Sequence, residues 1–81
     1  MIVKVLFFAS CRDLVGDSER EVRLDSGATV ADLISEIASE HPRFIEMAPS
    51  LMTSVNQEYM ERDSALEDGD EVAFIPPVSG G

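Results

Sequence analysis

Residues 29–42 constrain the fold more than any other stretch. Thr29 stands three residues before Asp32, the spacing of a reciprocal N-terminal cap, with Asp where Glu or Gln is more usual. Apolar residues follow at Val30, Leu33, Ile34, Ile37 and Ala38, the spacing of one buried helical stripe, and Asp32, Glu36 and Glu40 fall on the solvent side. Pro42 ends the run and restricts His41 before it. A helix over about 30–40 is predicted, with one face that must be covered. The other segments have the pattern of strands, turns and short helical pieces, so the cover has to be a sheet.

Residues 2–9, Ile-Val-Lys-Val-Leu-Phe-Phe-Ala, are almost continuously apolar, as in a central strand enclosed on most of both faces. Lys4 sets the parity. With Lys4 outward, Val3, Val5 and Phe7 face the core, and Leu6 and Phe8 share the outer face. Residues 10–16 suit one or two helical turns closed by Gly16. Residues 19–24 form a second strand in a hairpin with the first, and Ser26-Gly27 a turn. Residues 43–49 are expected to lay Phe44, Ile45 and Met47 on the core. Leu51 to Val55 is a third strand, Asn56-Gln57 a tight turn, and Tyr59-Met60 a short strand. Glu67-Asp-Gly-Asp70 is a turn before the last strand, Glu71 to Ile75, where Val72 and Phe74 point one way and Glu71, Ala73 and Ile75 the other. Two strands, a crossing helix and later strands make an α+β domain over 1–75. This order describes the β-grasp, or ubiquitin-like, mixed sheet, with the last strand parallel to the first.

Composition narrows the chemistry. Sixteen acidic residues against six basic give a net charge of −10, which disfavours nucleic acid and anionic membranes and suits a partner with a basic docking surface. No apolar run approaches the roughly 18 residues of a membrane span, so a cytoplasmic protein is expected. The single cysteine, Cys11, excludes an internal disulfide and suits a reducing compartment. It is expected to be a small buried or half-buried hydrophobe and not a nucleophile, because the one histidine, His41, lies at the far end of the helix. Asp13/Asp17 and Glu67/Asp68/Asp70 lack the alternating ligand spacing of a calcium loop and suit turn capping, so no metal site is expected.

What remains is residues 76–81. Pro76-Pro77 removes two backbone donors and favours an extended chain, and Val78, Ser79, Gly80 and Gly81 follow. Six extended residues reach roughly 20 Å. Small residues can enter a narrow channel, and the one reactive group at the tip is the Gly81 carboxylate, which requires activation by a separate ATP-using enzyme. Phe8 and Ile75, outward on neighbouring strands, joined by Tyr59 from the short strand after the turn, would form an apolar docking patch near this tail.

The chain resembles the MoaD family of small sulfur-carrier subunits of molybdopterin synthase over essentially its whole length. The resemblance is carried by Val5-Leu-Phe-Phe-Ala9 with Arg12 and Leu14, by Val55-Asn-Gln57, and most specifically by Leu66 and the run from Asp68 to Gly81. It implies that a MoeB-like adenylyltransferase forms an acyl-adenylate on Gly81, from ATP with AMP as the transient group, and that a sulfur donor converts it to a thiocarboxylate. It further implies insertion of Pro76, Pro77, Val78, Ser79 and Gly80 into a MoaE-like large subunit, in a heterotetramer, with contacts from Phe8, Tyr59 and Ile75. Sulfur would pass to cyclic pyranopterin monophosphate. Acid and base residues would belong to the large subunit, so this chain alone would not be catalytic, and no cofactor would stay bound. Two alternatives stand beside this one: a ThiS-type carrier, and a ubiquitin-like modifier joined to protein lysines through Gly81.

Overall fold

A computed structural model describes residues 1–77, and the expectations for Val78, Ser79, Gly80 and Gly81 lie outside the described residues. The alternation in the first segment is realised in strand β1 (Ile2–Phe7), where Val3, Val5 and Phe7 are buried while Lys4 is exposed and Leu6 half-buried. The strand stops two residues short of the 2–9 expectation. Ala9 takes a positive φ of 50°, which breaks the extended backbone, and the Cys11 N–H donates to the Phe8 carbonyl at 3.0 Å. Phe8 and Ala9 therefore form the corner into helix α1 (Ser10–Val15), which Gly16 closes in the left-handed region at φ 89°. Strand β2 (Glu19–Arg23) then returns antiparallel to β1, with Val22 opposite Val3.

Helix α2 (Val30–Glu40) starts with both arms of the capping box. The Asp32 N–H donates to Thr29 Oγ1 at 3.3 Å, and the Thr29 N–H donates to Asp32 Oδ2 at 2.8 Å. Val30, Leu33, Ile34 and Ile37 are buried, as the stripe requires, and the helix ends at His41 before Pro42. Helix α3 (Phe44–Met47) and a 3-10 turn (Ala48–Ser50) follow. Here one expectation fails: Ile45 is 52 % exposed. At about 100° per residue, a helix that points Phe44 inward also points Met47 and Ala48 inward and carries Ile45 to the outside.

Strands β3 (Met52–Val55) and β4 (Glu58–Tyr59) form a hairpin whose two turn residues, Asn56 and Gln57, have φ of 51° and 72°. Two successive left-handed residues match the twist of the flanking strands. Strand β5 (Glu71–Ile75) runs parallel to β1 and antiparallel to β3, giving the order β2-β1-β5-β3-β4 among the described residues. The core lies between the inner sheet face and α2, with Phe7, Phe44 and Phe74 at its centre; their ring centroids are 6.2, 6.2 and 5.3 Å apart. Edge-to-face pairs such as Phe44 on Phe74 add to the burial itself.

Side chains from the turn before β5 and from the β3–β4 turn set its register. Asn56 Nδ2 donates to Asp70 Oδ1 at 2.9 Å, and Asn56 Oδ1 accepts the Glu71 N–H at 3.0 Å. Asp70 Oδ2 accepts the Glu67 N–H at 2.8 Å, and Asp68 Oδ1 accepts the Ile2 N–H at 2.7 Å. Asp70 Oδ2 caps its own turn, as read from the sequence, whereas Asp68 reaches across to the start of β1 and Asp70 Oδ1 takes the Asn56 side-chain amide. A one-residue slip of β5 would turn its inner side chains outward, so these bonds fix which residues the outer face displays.

Candidate functional site

The outer face of the sheet is built in rows by the strand registers. Leu6, Ala73, Ser54 and Tyr59 are joined in one row, from β1 across β5 and β3 to β4. Ile75 pairs with Met52, and because Phe7 pairs with Phe74, the chain leaves the sheet with Phe8 and Ile75 side by side. This second row lies directly before Pro76, which is half-buried, and Pro77, which is exposed. Phe8 is 46 %, Met52 48 % and Tyr59 68 % exposed, and no core residue covers them; Phe44 is fully buried within the core. A shallow depression of about 310 Å³ opens between Leu6, Phe8, Tyr59, Ala73 and Ile75, with Ser54, Gln57 and Glu71 as its polar rim.

Phe8 and Ile75, named from parity, and Tyr59, named from its place on the short following strand, are therefore brought together around one depression at the root of the tail. Met52 belongs with them, although it is not among the residues expected from the sequence. The signal was present: once Thr53 and Val55 face inward, Met52 and Ser54 must face outward, and β3 runs beside β5. A larger hollow of about 740 Å³ lies at the β2–α2 loop, lined by Arg23, Asp25, Asp32 and Glu36 among others, but it is polar and Asp32 is already engaged in the helix cap.

Charge borders the apolar patch on the outer face, where Glu19 pairs with Leu6 and Glu71 with Lys4. Lys4 Nζ lies 3.2 Å from Glu19 Oε1 and 3.9 Å from Glu71 Oε2. Its pKa is raised, first by the hydrogen bond to Glu19 and then by the negative charge of that carboxylate. Cys11 is buried, and burial pushes its thiol up to about 11, so it stays protonated at neutral pH. Its Sγ lies 3.5 Å from Met47 Sδ, as expected of a packed hydrophobe. Among the described residues no group of three or more His, Cys, Asp or Glu is placed to hold a metal ion, and no helix is long and apolar enough to cross a membrane.

A last strand parallel to the first, between β1 and β3, with one long helix across the inner face, defines a ubiquitin-like β-grasp domain. The ThiS family model matches residues 5–81. The molybdopterin synthase sulfur carrier subunit of Escherichia coli (strain K12) is 44 % identical over 82 residues, covering 99 % of this chain and 100 % of that protein. A putative molybdopterin converting factor subunit 1 from Pyrococcus furiosus superposes with a TM-score of 0.87 at 40 % identity, over 96 % of this chain and 99 % of the other. The small archaeal modifier protein 1 of Haloferax volcanii superposes with a TM-score of 0.84 at 26 % identity, over 95 % and 98 % of the two chains. The chain belongs to the ThiS family, in the MoaD group that its sequence resembles.

Proposed function

We propose that this chain is the sulfur carrier subunit of a molybdopterin synthase, with Gly81 as the residue that bears the sulfur. One observation carries the reading: the exposed Phe8, Met52 and Tyr59, with Ile75, form a single apolar surface at the root of the segment leading to Gly80-Gly81. Such a surface costs solubility and gives the core nothing, and its value is as a docking platform that aims the tail. The E. coli relative, itself a molybdopterin synthase sulfur carrier subunit, supports the cargo assignment.

On this reading a Gly81 carboxylate oxygen attacks the α-phosphorus of ATP on a MoeB-like adenylyltransferase, releasing pyrophosphate. A sulfur nucleophile at the level of sulfide then displaces AMP and leaves a thiocarboxylate. The sheet face docks on a MoaE-like large subunit, Pro76 and Pro77 keep the tail extended, and Val78, Ser79 and Gly80 thread the channel. Sulfur passes to cyclic pyranopterin monophosphate, and two transfers build the dithiolene. Two carriers and two large subunits make a heterotetramer, working in the cytoplasm. AMP is held only while it is covalently attached, and proton transfers at the pterin fall to the large subunit.

Intact-mass measurement after incubation with an activating enzyme, ATP and a sulfur donor tests this. Replacement of one terminal oxygen by sulfur is the expected result. Isopeptide adducts on other proteins without any thiocarboxylate would instead make the chain a modifier, the second reading, which its likeness to the Haloferax modifier favours. Appending one residue after Gly81 should abolish sulfur transfer and leave the melting temperature unchanged.

A further inference from the structure

An activated C-terminal glycine is an acylating agent, and the amines of other copies of the same chain are among the acceptors it can meet. Of the six cationic residues five are arginines, at 12, 20, 23, 43 and 62, and Lys4 is the one lysine. A guanidinium stays protonated and is not acylated under such conditions, whereas a lysine amine is acylated through its neutral form. The sequence thus offers one side-chain amine where average usage would give several. That amine is itself held between two carboxylates, at 3.2 Å from Glu19 and 3.9 Å from Glu71.

The position of Lys4 gives its protection a purpose. Lys4 shares the outer face with Leu6 and Phe8, and its register partner in β5 is Glu71, on the rim of the depression described above. A whole domain attached at Lys4 would stand over the docking surface. In balanced form, the unwanted step joins the Lys4 amine of one copy to the Gly81 carbonyl carbon of another. AMP departs, the amine loses a proton and an amide remains. We infer that this chain is built to offer its own activated terminus a poor side-chain acceptor, through near-exclusion of lysine and through pairing of Lys4 with Glu19 and Glu71. This rests on the carrier reading only in supposing that the terminus is activated.

Two measurements keep the inference separate from that reading. First, the folded chain is treated with an N-hydroxysuccinimide acetate and Lys4 acylation is followed by peptide mass mapping. In the double variant Glu19→Gln/Glu71→Gln, with its fold checked by circular dichroism, Lys4 should react roughly two- to fivefold faster, the span expected of lost exposed ion pairs. Equal rates in the two proteins would overturn the inference whatever the terminus does. Second, the chain is held with an activating enzyme and ATP without a sulfur donor. Pyrophosphate exchange reports activation, and Gly81–Lys4 dimers report self-acylation. Few dimers from the wild type and more from the double variant support the inference; rapid dimer formation by the wild type, absent in Lys4→Arg, overturns it. Absence of pyrophosphate exchange counts against the carrier reading, and the first measurement then decides the inference alone.

Discussion

Val72 and Ala73 are adjacent in the chain and serve two surfaces of different kinds. The inner face holds Val3, Val5, Phe7, Val72 and Phe74, all buried, against α2 and Phe44. The outer face sets Leu6, Ala73 and Ser54 beneath exposed Phe8, Met52 and Tyr59. Hydrophobicity alone does not separate them, since Phe8 and Phe7 are the same residue type one position apart. The inner side chains are enclosed and determine stability, whereas the outer ones are left in water and have to be explained by what they meet.

The sharpest attempt to break this contrast is Phe74→Ala. Removing a fully buried ring at the centre of the aromatic trio should lower unfolding free energy by about 3–5 kcal/mol, measured by urea titration, with partner affinity restored once the protein is folded. If the loss were below about 1 kcal/mol, the inner face would not be the core described above. Phe8→Ala should do the reverse, costing under about 1 kcal/mol of stability but about 2 kcal/mol of large-subunit binding by calorimetry, as for an interface anchor.

Cys11 tests the inner side by pH. Its folded thiol titrates near 11 against 9.0 for a free thiol, so the neutral form is favoured by folding. That contribution is complete below pH 9 and is lost as pH rises toward 11, by something on the order of 2 kcal/mol. Urea titrations between pH 8 and 11 should show a steeper decline for the wild type than for Cys11→Ala; parallel declines would mean that the thiol is hydrated. The smallest effect is on β3, where Met52→Ala should weaken partner binding by about 1 kcal/mol and leave the melting temperature almost unchanged.

Much of this architecture is legible in the residues because its periods are clean. Lys4 fixes the parity of β1, Thr29 and Asp32 fix the start of α2, and Asp-Gly before Glu71 fixes the start of β5. The segment from Arg43 to Ser50 was less legible. A single helical turn contains too few residues to show a period, so Ile45 is as apolar as Phe44 and yet points out. The bonds from Asn56 to Asp70 and Glu71 could not be read at all, since they join residues 14 and 15 positions apart and depend on the sheet already being formed. At the site, Phe8 and Ile75 follow from alternation and Tyr59 from its place on the short strand after the Asn56-Gln57 turn, while grouping Met52 with them requires knowing that β3 lies next to β5.

The placement of β5 also has a mechanical consequence. It is flanked along its length by β1 on one side and β3 on the other, and the chain leaves it at Ile75 in the direction of the strand. A partner that draws on the tail therefore loads both ladders in shear, straining their hydrogen bonds together, where a strand at the sheet's edge pulled sideways would unzip one rung after another. The domain can serve as an anchor, withstanding tension on its end while a second protein works there.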